Sequence, residues 1–500
     1  MSSFSVNVKQ FPQPLDRIAL GLMLVLSLLI GLLLWNGDHT APRVRSFSWQ
    51  DKQVGAEDIA FTMTFNRPMD WASVESNLQI EPPLPGKISW SGRRLAYTLT
   101  QPIPYGTAFQ VKLAGAEDSL GQQAKRTRMQ PFLEHFRSRD HAIVYLGVDG
   151  DEAGRLILNN LTQQKKTVLT PPNLVVAEFK PYTAGDRILF SATQRAVQAQ
   201  GTFDPKLYTV STGIQANSPD AQPAKREPVG RVKLILDNID YQILKFDLSP
   251  DGQRIVVQRA KRQNLAQTSL WVFKQNESPQ LVNSQAGGDF LVTPDSNAIV
   301  IAEGQGLAVV PLAPQGSSHP LDFLPQFGMV LSFAKDGSAA TMVKFNTDYT
   351  RSLFLVTNQG TQKELLRTTG SILSTQFAPL KQTLYCLLTR LLPGKDYNEQ
   401  LYIATIDLQT SKLMTLINLP GQRDVQMSLA PDGSALVFDQ AISTNQPEAK
   451  TLQTDQGQAI ATSNVWLLPL QPQPHPKDAS PQTQRQLEAV STGFHPRWLP

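Results

Sequence analysis

Hydrophobic and polar positions divide this chain into three regimes. The first is Ile18 to Trp35, IALGLMLVLSLLIGLLLW, eighteen residues without a charge. As a helix at 1.5 Å per residue it is about 27 Å long, close to the roughly 30 Å of bilayer hydrocarbon. A helix satisfies its own backbone in that solvent, and Trp35 stands where an interfacial aromatic is favoured. The pattern predicts a tail over residues 1–17 and a transmembrane helix over 18–35. A cleaved signal peptide would have a shorter apolar core ending in small residues; here Trp35, Asn36, Gly37, Asp38 and His39 follow. Flanking charges nearly balance: Lys9 and Arg17 before the span, Arg43 and Arg45 after it. A lone N-terminal span ahead of a long polar chain predicts a single-pass membrane protein. Its bulk is expected outside the cytoplasm, on the periplasmic or lumenal side, with membrane lipid as a partner.

The second regime, residues 46–123, shows the period-two alternation of half-buried strands. Ile59, Phe61, Met63 and Phe65 share one face of the run from Ile59 to Phe65, which Asn66-Arg67-Pro68-Met69-Asp70 ends. Short strands follow at Leu78–Ile80, Lys87–Trp90, Leu95–Leu99 and Ala108–Leu113, separated by Pro82, Pro83, Pro85, Gly86, Gly92 and Gly106. Six or seven short strands with such turns predict a β-sandwich. The basic stretch at 124–140, with Lys125, Arg126, Arg128, Arg137 and Arg139, reads as a linker.

The third regime, residues 141–500, repeats. Ile243 to Val257 (ILKFDLSPDGQRIVV) and Val425 to Phe438 (VQMSLAPDGSALVF) are each a strand, a tight turn and a second strand. Weaker copies surround Pro181, Pro294, Lys335 and Pro379. An Asp-Gly pair tolerates the left-handed backbone that such turns demand. Third strands follow at Ser269–Phe273, Leu307–Pro311, Ser352–Val356, Gln400–Ala404 and Asn464–Leu468, and shorter fourth strands at Pro279–Val282 and Lys363–Leu366. Pro181, Pro250, Pro294, Lys335, Pro379 and Pro431 are spaced 69, 44, 41, 44 and 52 residues apart. Four short strands in about 40–45 residues make a propeller blade. The longer intervals hold polar insertions, Gln198 to Gly230 and Ala441 to Gln458, which read as surface loops. The last residues, Gly493 to Pro500, look like an opening strand without a unit, and Ala142 to Leu146 opens a unit without that strand. Ring closure by the C-terminal strand explains both, and seven blades are expected, with six or eight as alternatives.

Two resemblances follow from these residues. The succession from Phe61 to Gly121, with Phe65 to Asp70, Gly86 to Trp90, Leu95 to Leu99, Phe109 to Val111 and Asp118 to Gly121, resembles the bacterial Ig-like domain of surface-layer and envelope proteins. It implies a structural or adhesive module with no catalytic residues. The S-P-D-G and A-P-D-G turns resemble those of TolB-like and prolyl-oligopeptidase-like propellers within the WD40-like group. The expected fold is therefore all-β: a transmembrane helix, an Ig-like sandwich and a seven-bladed propeller.

Composition adds little but excludes several classes. Net charge is +4 over 500 residues, too small and dispersed for a nucleic-acid partner. One cysteine, Cys386, rules out an intrachain disulfide; its run Leu384-Tyr385-Cys386-Leu387-Leu388 reads as a buried strand. There is no G-x-S-x-G nucleophile elbow. His39, His135, His141, His319, His475 and His495 form no metal spacing. Asp251, Asp295, Asp336 and Asp432 read as turn formers, and Trp271, Phe354, Tyr402 and Trp466 as repeated core packing. No catalytic, cofactor or metal residue is predicted. The expected function is a non-enzymatic envelope scaffold that binds another envelope or membrane protein. The alternatives are a carbohydrate- or peptidoglycan-binding protein, which needs exposed aromatics, or a funnel-site lyase or glycosidase, which needs convergent carboxylates or histidines.

Overall fold

The computed structural model describes residues 14–36, 41–119, 126–214, 227–282, 288–304, 306–312, 322–394, 398–443, 452–453, 459–470 and 487–500. The apolar run lies in a helix, Pro14–Asn36. Its described side chains, Ile18 to Gly31, are all exposed. Among the described residues no helix is long and apolar enough to cross a membrane. This corrects the expected transmembrane anchor, and with it the lipid partner, the envelope-protein partner, and the single-pass and extracytoplasmic localisation.

Residues 44–138 form two four-stranded sheets around one core. Val44–Phe47, Ala60–Phe65, Arg94–Leu99 and Gly86–Ser91 make one; Gln53–Val54, Phe132–Ser138, Ala108–Leu113 and Leu78–Glu81 make the other. The alternation of Phe61, Met63 and Phe65 puts all three in the core, with Trp49, Phe109 and Phe136 opposite. Phe109 stacks on Phe136 at 5.1 Å, and Trp49 meets it edge-on at 5.0 Å. Phe132–Ser138 falls in the expected linker. It is a strand because Phe136 and Ser138 turn inward while Leu133, His135 and Arg137 face out. Its charges had concealed that period.

Beyond Asp140 the described strands form seven further four-stranded sheets. Six are consecutive meanders, the first being Leu174–Pro181, Arg187–Gln194, Lys206–Ser211 and Val232–Leu236. The seventh joins distant parts of the chain: Lys165–Val168, Leu156–Asn160 and Ala142–Leu146 are completed by Phe494–Trp498. Lys206–Ser211 lies in the expected polar loop from 198 to 230, and five of its six residues are buried. The rest of that insertion between 215 and 226 lies outside the described residues, as does most of 441–458.

Among the described residues no sheet curls or closes on itself. Every ladder stops at four strands, and neighbouring sheets meet through side chains. Lys180 Nζ donates to Asp247 Oδ1 at 2.7 Å, the Val292 amide donates to Asp247 Oδ2 at 2.9 Å, and Gln376 bridges the Met427 carbonyl and the Leu429 amide. The expected fold class, a membrane-anchored Ig-like domain with a closed propeller, is corrected accordingly: the described chain is almost entirely β-strand, in separate four-stranded sheets. The turn residues do their expected local work. Gly252, Gly337 and Gly433 have φ of 69°, 71° and 74°, the left-handed region that glycine enters freely.

The two-sheet core is joined to the seven sheets by buried polar contacts. The Tyr105 amide donates to Asp432 Oδ2 at 3.0 Å, and His141 Nε2 lies 3.0 Å from the same oxygen. Arg139 donates to the carbonyls of Thr183 and Pro500 and pairs with Glu57.

Candidate ligand cavity

Five of the seven leading strands beyond Asp140 share a local irregularity. In an antiparallel ladder one extra residue makes a bulge, which bends the strand and re-aims its side chains. Val176 pairs with Ala192 and Glu178 with Ser191, leaving Ala177 unpaired. Ile243 pairs with Arg259 and Lys245 with Gln258, leaving Leu244 unpaired. In the last strand Phe494 pairs with Leu146 and Arg497 with Val144, so His495 and Pro496 face Tyr145 alone. The same shift occurs at Leu331 and Leu373.

Three of these bulges converge. Ala177, Leu244 and His495 line a cavity of about 320 Å³ with Glu178, Phe179, Ser191, Phe203, Gln426 and Arg497. That size lies within the range of small-ligand sites. His495 adopts φ 52°, a conformation a non-glycine residue enters at a cost. The chain enters the bulge tightly packed: a Cβ on Gly493 would stand 2.2 Å from the Tyr145 ring.

Behind the wall stands Asp439, 2 % exposed. Its Oδ1 accepts the Gln426 amide at 2.6 Å and its Oδ2 the His495 amide at 2.7 Å. One buried carboxylate thus fixes two cavity residues from different strands. Burial pushes the Asp439 carboxyl up to about 6, against the opposing effects of His495 and the two amides. These hydrogen bonds come from backbone amides, so Asp439 positions the wall.

The rim carries an aromatic ring. Phe203 is 53 % exposed. The next residue, Asp204, is anchored: both carboxylate oxygens receive Arg262 Nη2 at 2.5 Å, and the Asp204 carbonyl accepts Asn238 Nδ2 at 3.1 Å. The Glu178 carboxylate accepts no hydrogen bond and forms no ion pair among the described residues, and acts through space on Lys245. The cavity therefore offers an acceptor, a guanidinium, an amide, an imidazole and an apolar ring.

Of the residues singled out from sequence, His495 lines the cavity, while the turn aspartates and Cys386 lie elsewhere. Asp251, Asp295, Asp336 and Asp432 accept hydrogen bonds from residues of their own turns. Lys381 and Ser338 hold the Asp336 carboxyl down at about 2. Asp432 does more than form a turn, since it also binds Tyr105 and His141. Cys386 is fully buried, and burial pushes its thiol up. No group of three metal-ligating side chains occurs among the described residues. Sequence reasoning missed Asp439, Phe203 and Arg497. The one signal was that the last strand carries His495 and Arg497 where other leading strands are mostly apolar or neutral.

No known protein family matches this chain, and no curated protein matches it. Among solved structures it is similar to oligogalacturonate lyase from Vibrio parahaemolyticus (TM-score 0.42, 10% identity, 57% of this chain and 79% of that one). It is similar to TolB from Acinetobacter baumannii (0.37, 11%, 90% and 86%) and to a putative 6-phosphogluconolactonase from Bacteroides uniformis (0.40, 11%, 72% and 99%). The likeness to TolB-like β-sheet proteins is distant, and it replaces the expected assignment to Ig-like and closed-propeller families. Both enzymes and a non-enzyme are among these structures, so the expectation that the chain is not an enzyme is withdrawn. At these scores the likeness carries no argument for any one activity.

Proposed function

We propose that this chain binds carbohydrate in the cavity between the bulged strands. The supporting observation is the half-exposed Phe203 ring, next to the Arg262-anchored Asp204, beside Glu178, Gln426, His495 and Arg497. A sugar has an apolar ring face and a hydroxyl rim. An aromatic ring takes the first, and side chains that donate and accept hydrogen bonds take the second. Calorimetric titration with neutral and acidic sugars tests this reading. Phe203→Ala should weaken binding about tenfold, the loss expected when part of an aromatic contact of roughly 1.5–3 kcal/mol is removed. Failure of the wild-type chain to bind any sugar refutes it.

A second reading, that the chain also transforms the bound sugar, is favoured by Glu178. An unpaired carboxylate in a cavity wall is able to act as a general base. Product analysis after prolonged incubation with the same sugars tests it, and Glu178→Gln should abolish turnover while leaving binding measurable.

A further inference from the structure

We infer that the sugar is acidic and that its carboxylate is the partner of Arg497, an inference that rests on the carbohydrate reading above. Arg497 lines the cavity and is half-buried. Its guanidinium makes no hydrogen bond or ion pair with any described residue. Guanidinium groups held in a protein wall ordinarily find a carboxylate or carbonyl, as Arg139, Arg155 and Arg262 do here.

The strand holds Arg497 in that position. Its neighbours Phe494 and Trp498 are 4 % and 6 % exposed, and the Trp498 amide donates to Ser428 Oγ at 3.1 Å. The bulge at His495 and Pro496 re-aims the strand immediately before Arg497. The side chain is therefore anchored at its base and unpaired at its tip.

The chemistry of the tip selects the ligand. A guanidinium presents a planar fork of donors that fits a carboxylate through two parallel hydrogen bonds. Glu178, elsewhere in the lining, is acceptor-only when ionised; it accepts hydroxyl donors and repels a second anion. A ligand with one carboxylate and several hydroxyls satisfies both residues. A neutral sugar offers Arg497 only hydroxyl acceptors. A sugar phosphate brings more negative charge toward Glu178.

The test is calorimetric titration of the full chain with D-glucuronate, D-glucose and D-glucose 6-phosphate. D-Glucuronate should bind about tenfold more tightly than D-glucose, the advantage of a charge-assisted bidentate pair. Arg497→Gln should bring the two within about twofold by weakening D-glucuronate binding far more than D-glucose binding, and Arg497→Lys should retain part of the preference. Should the glutamine variant fail to fold, salt gives the same reading in the wild type. The preference for glucuronate should shrink as ionic strength rises, and D-glucose affinity should not change. Equal binding of glucuronate and glucose, insensitive to salt and to Arg497→Gln, overturns the inference and leaves the carbohydrate reading standing. Tighter binding of glucose 6-phosphate than of glucuronate also overturns it. Binding of no sugar at all overturns both.

Discussion

Asp439→Asn should change the pH dependence of stability in a defined window. The wild-type carboxyl lies at about 6 in the folded chain, against an ordinary value of 3.8. The fold therefore favours the protonated form. Ionising Asp439 costs stability, and the cost appears as pH rises from about 3.8 through 6. Below the lower value both states are protonated and the cost is absent; above about 7 both are ionised and it is complete. At 1.36 kcal/mol per tenfold in proton affinity, the gap is worth about 3 kcal/mol. Asparagine removes the titration. It leaves one carbonyl oxygen for the amides of Gln426 and His495, so the variant is also destabilised by about 1–3 kcal/mol at low pH through an unsatisfied buried N–H. Urea-unfolding midpoints of both chains, followed by tryptophan fluorescence from about pH 3.5 to 8, give the comparison. Trp498 stands three residues beyond His495 and reports on the same strand. The advantage of wild type over variant should be greatest near pH 4, fall through pH 6, and stay level above 7. A difference that does not change with pH would show that Asp439 does not titrate as its burial requires.

Further outcomes follow from other contacts. Asp432→Ala should lower the urea midpoint by the equivalent of about 2–4 kcal/mol, because it leaves the buried Tyr105 amide unpaired and removes the His141 contact; limited proteolysis should then cut more readily between residues 44–138 and the seven sheets. Gly493→Ala should drive the new methyl into the Tyr145 ring and loosen the last strand, seen as faster amide exchange over Ala142–Leu146. Cys386 should resist a thiol reagent in the native chain and react at once in denaturant, since it is buried and its thiol is pushed up.

Much of the secondary structure was legible because strand periodicity is local. The alternation of Phe61, Met63 and Phe65, the Pro-Asp-Gly turns at 250–252 and 431–433, and third strands such as that around Trp271 all stand in the structure. Local reading failed where charge or polarity covered the period. Phe132–Ser138 was hidden by Arg137 and the basic residues before it, and Lys206–Ser211 by the polar residues on either side. The apolar run Ile18–Trp35 was overread: its length suggested a span, and the described helix does not supply one. The cavity was not legible. A bulge is a relation between two strands, and the sequence of one strand does not contain it.

The sequence by itself determined the alternating strands, the tight turns between them and the absence of a disulfide framework, because each depends on residue type over a few neighbours. The two incomplete ends also pointed to Phe494–Trp498 joining Ala142–Leu146, as it does; the tertiary structure decided which strands end the other sheets and that His495, Arg497, Glu178 and Phe203 face one space. Those are contacts between residues separated by up to hundreds of positions. They are fixed by which surfaces bury together and by one buried carboxylate, Asp439, that ties the wall in place.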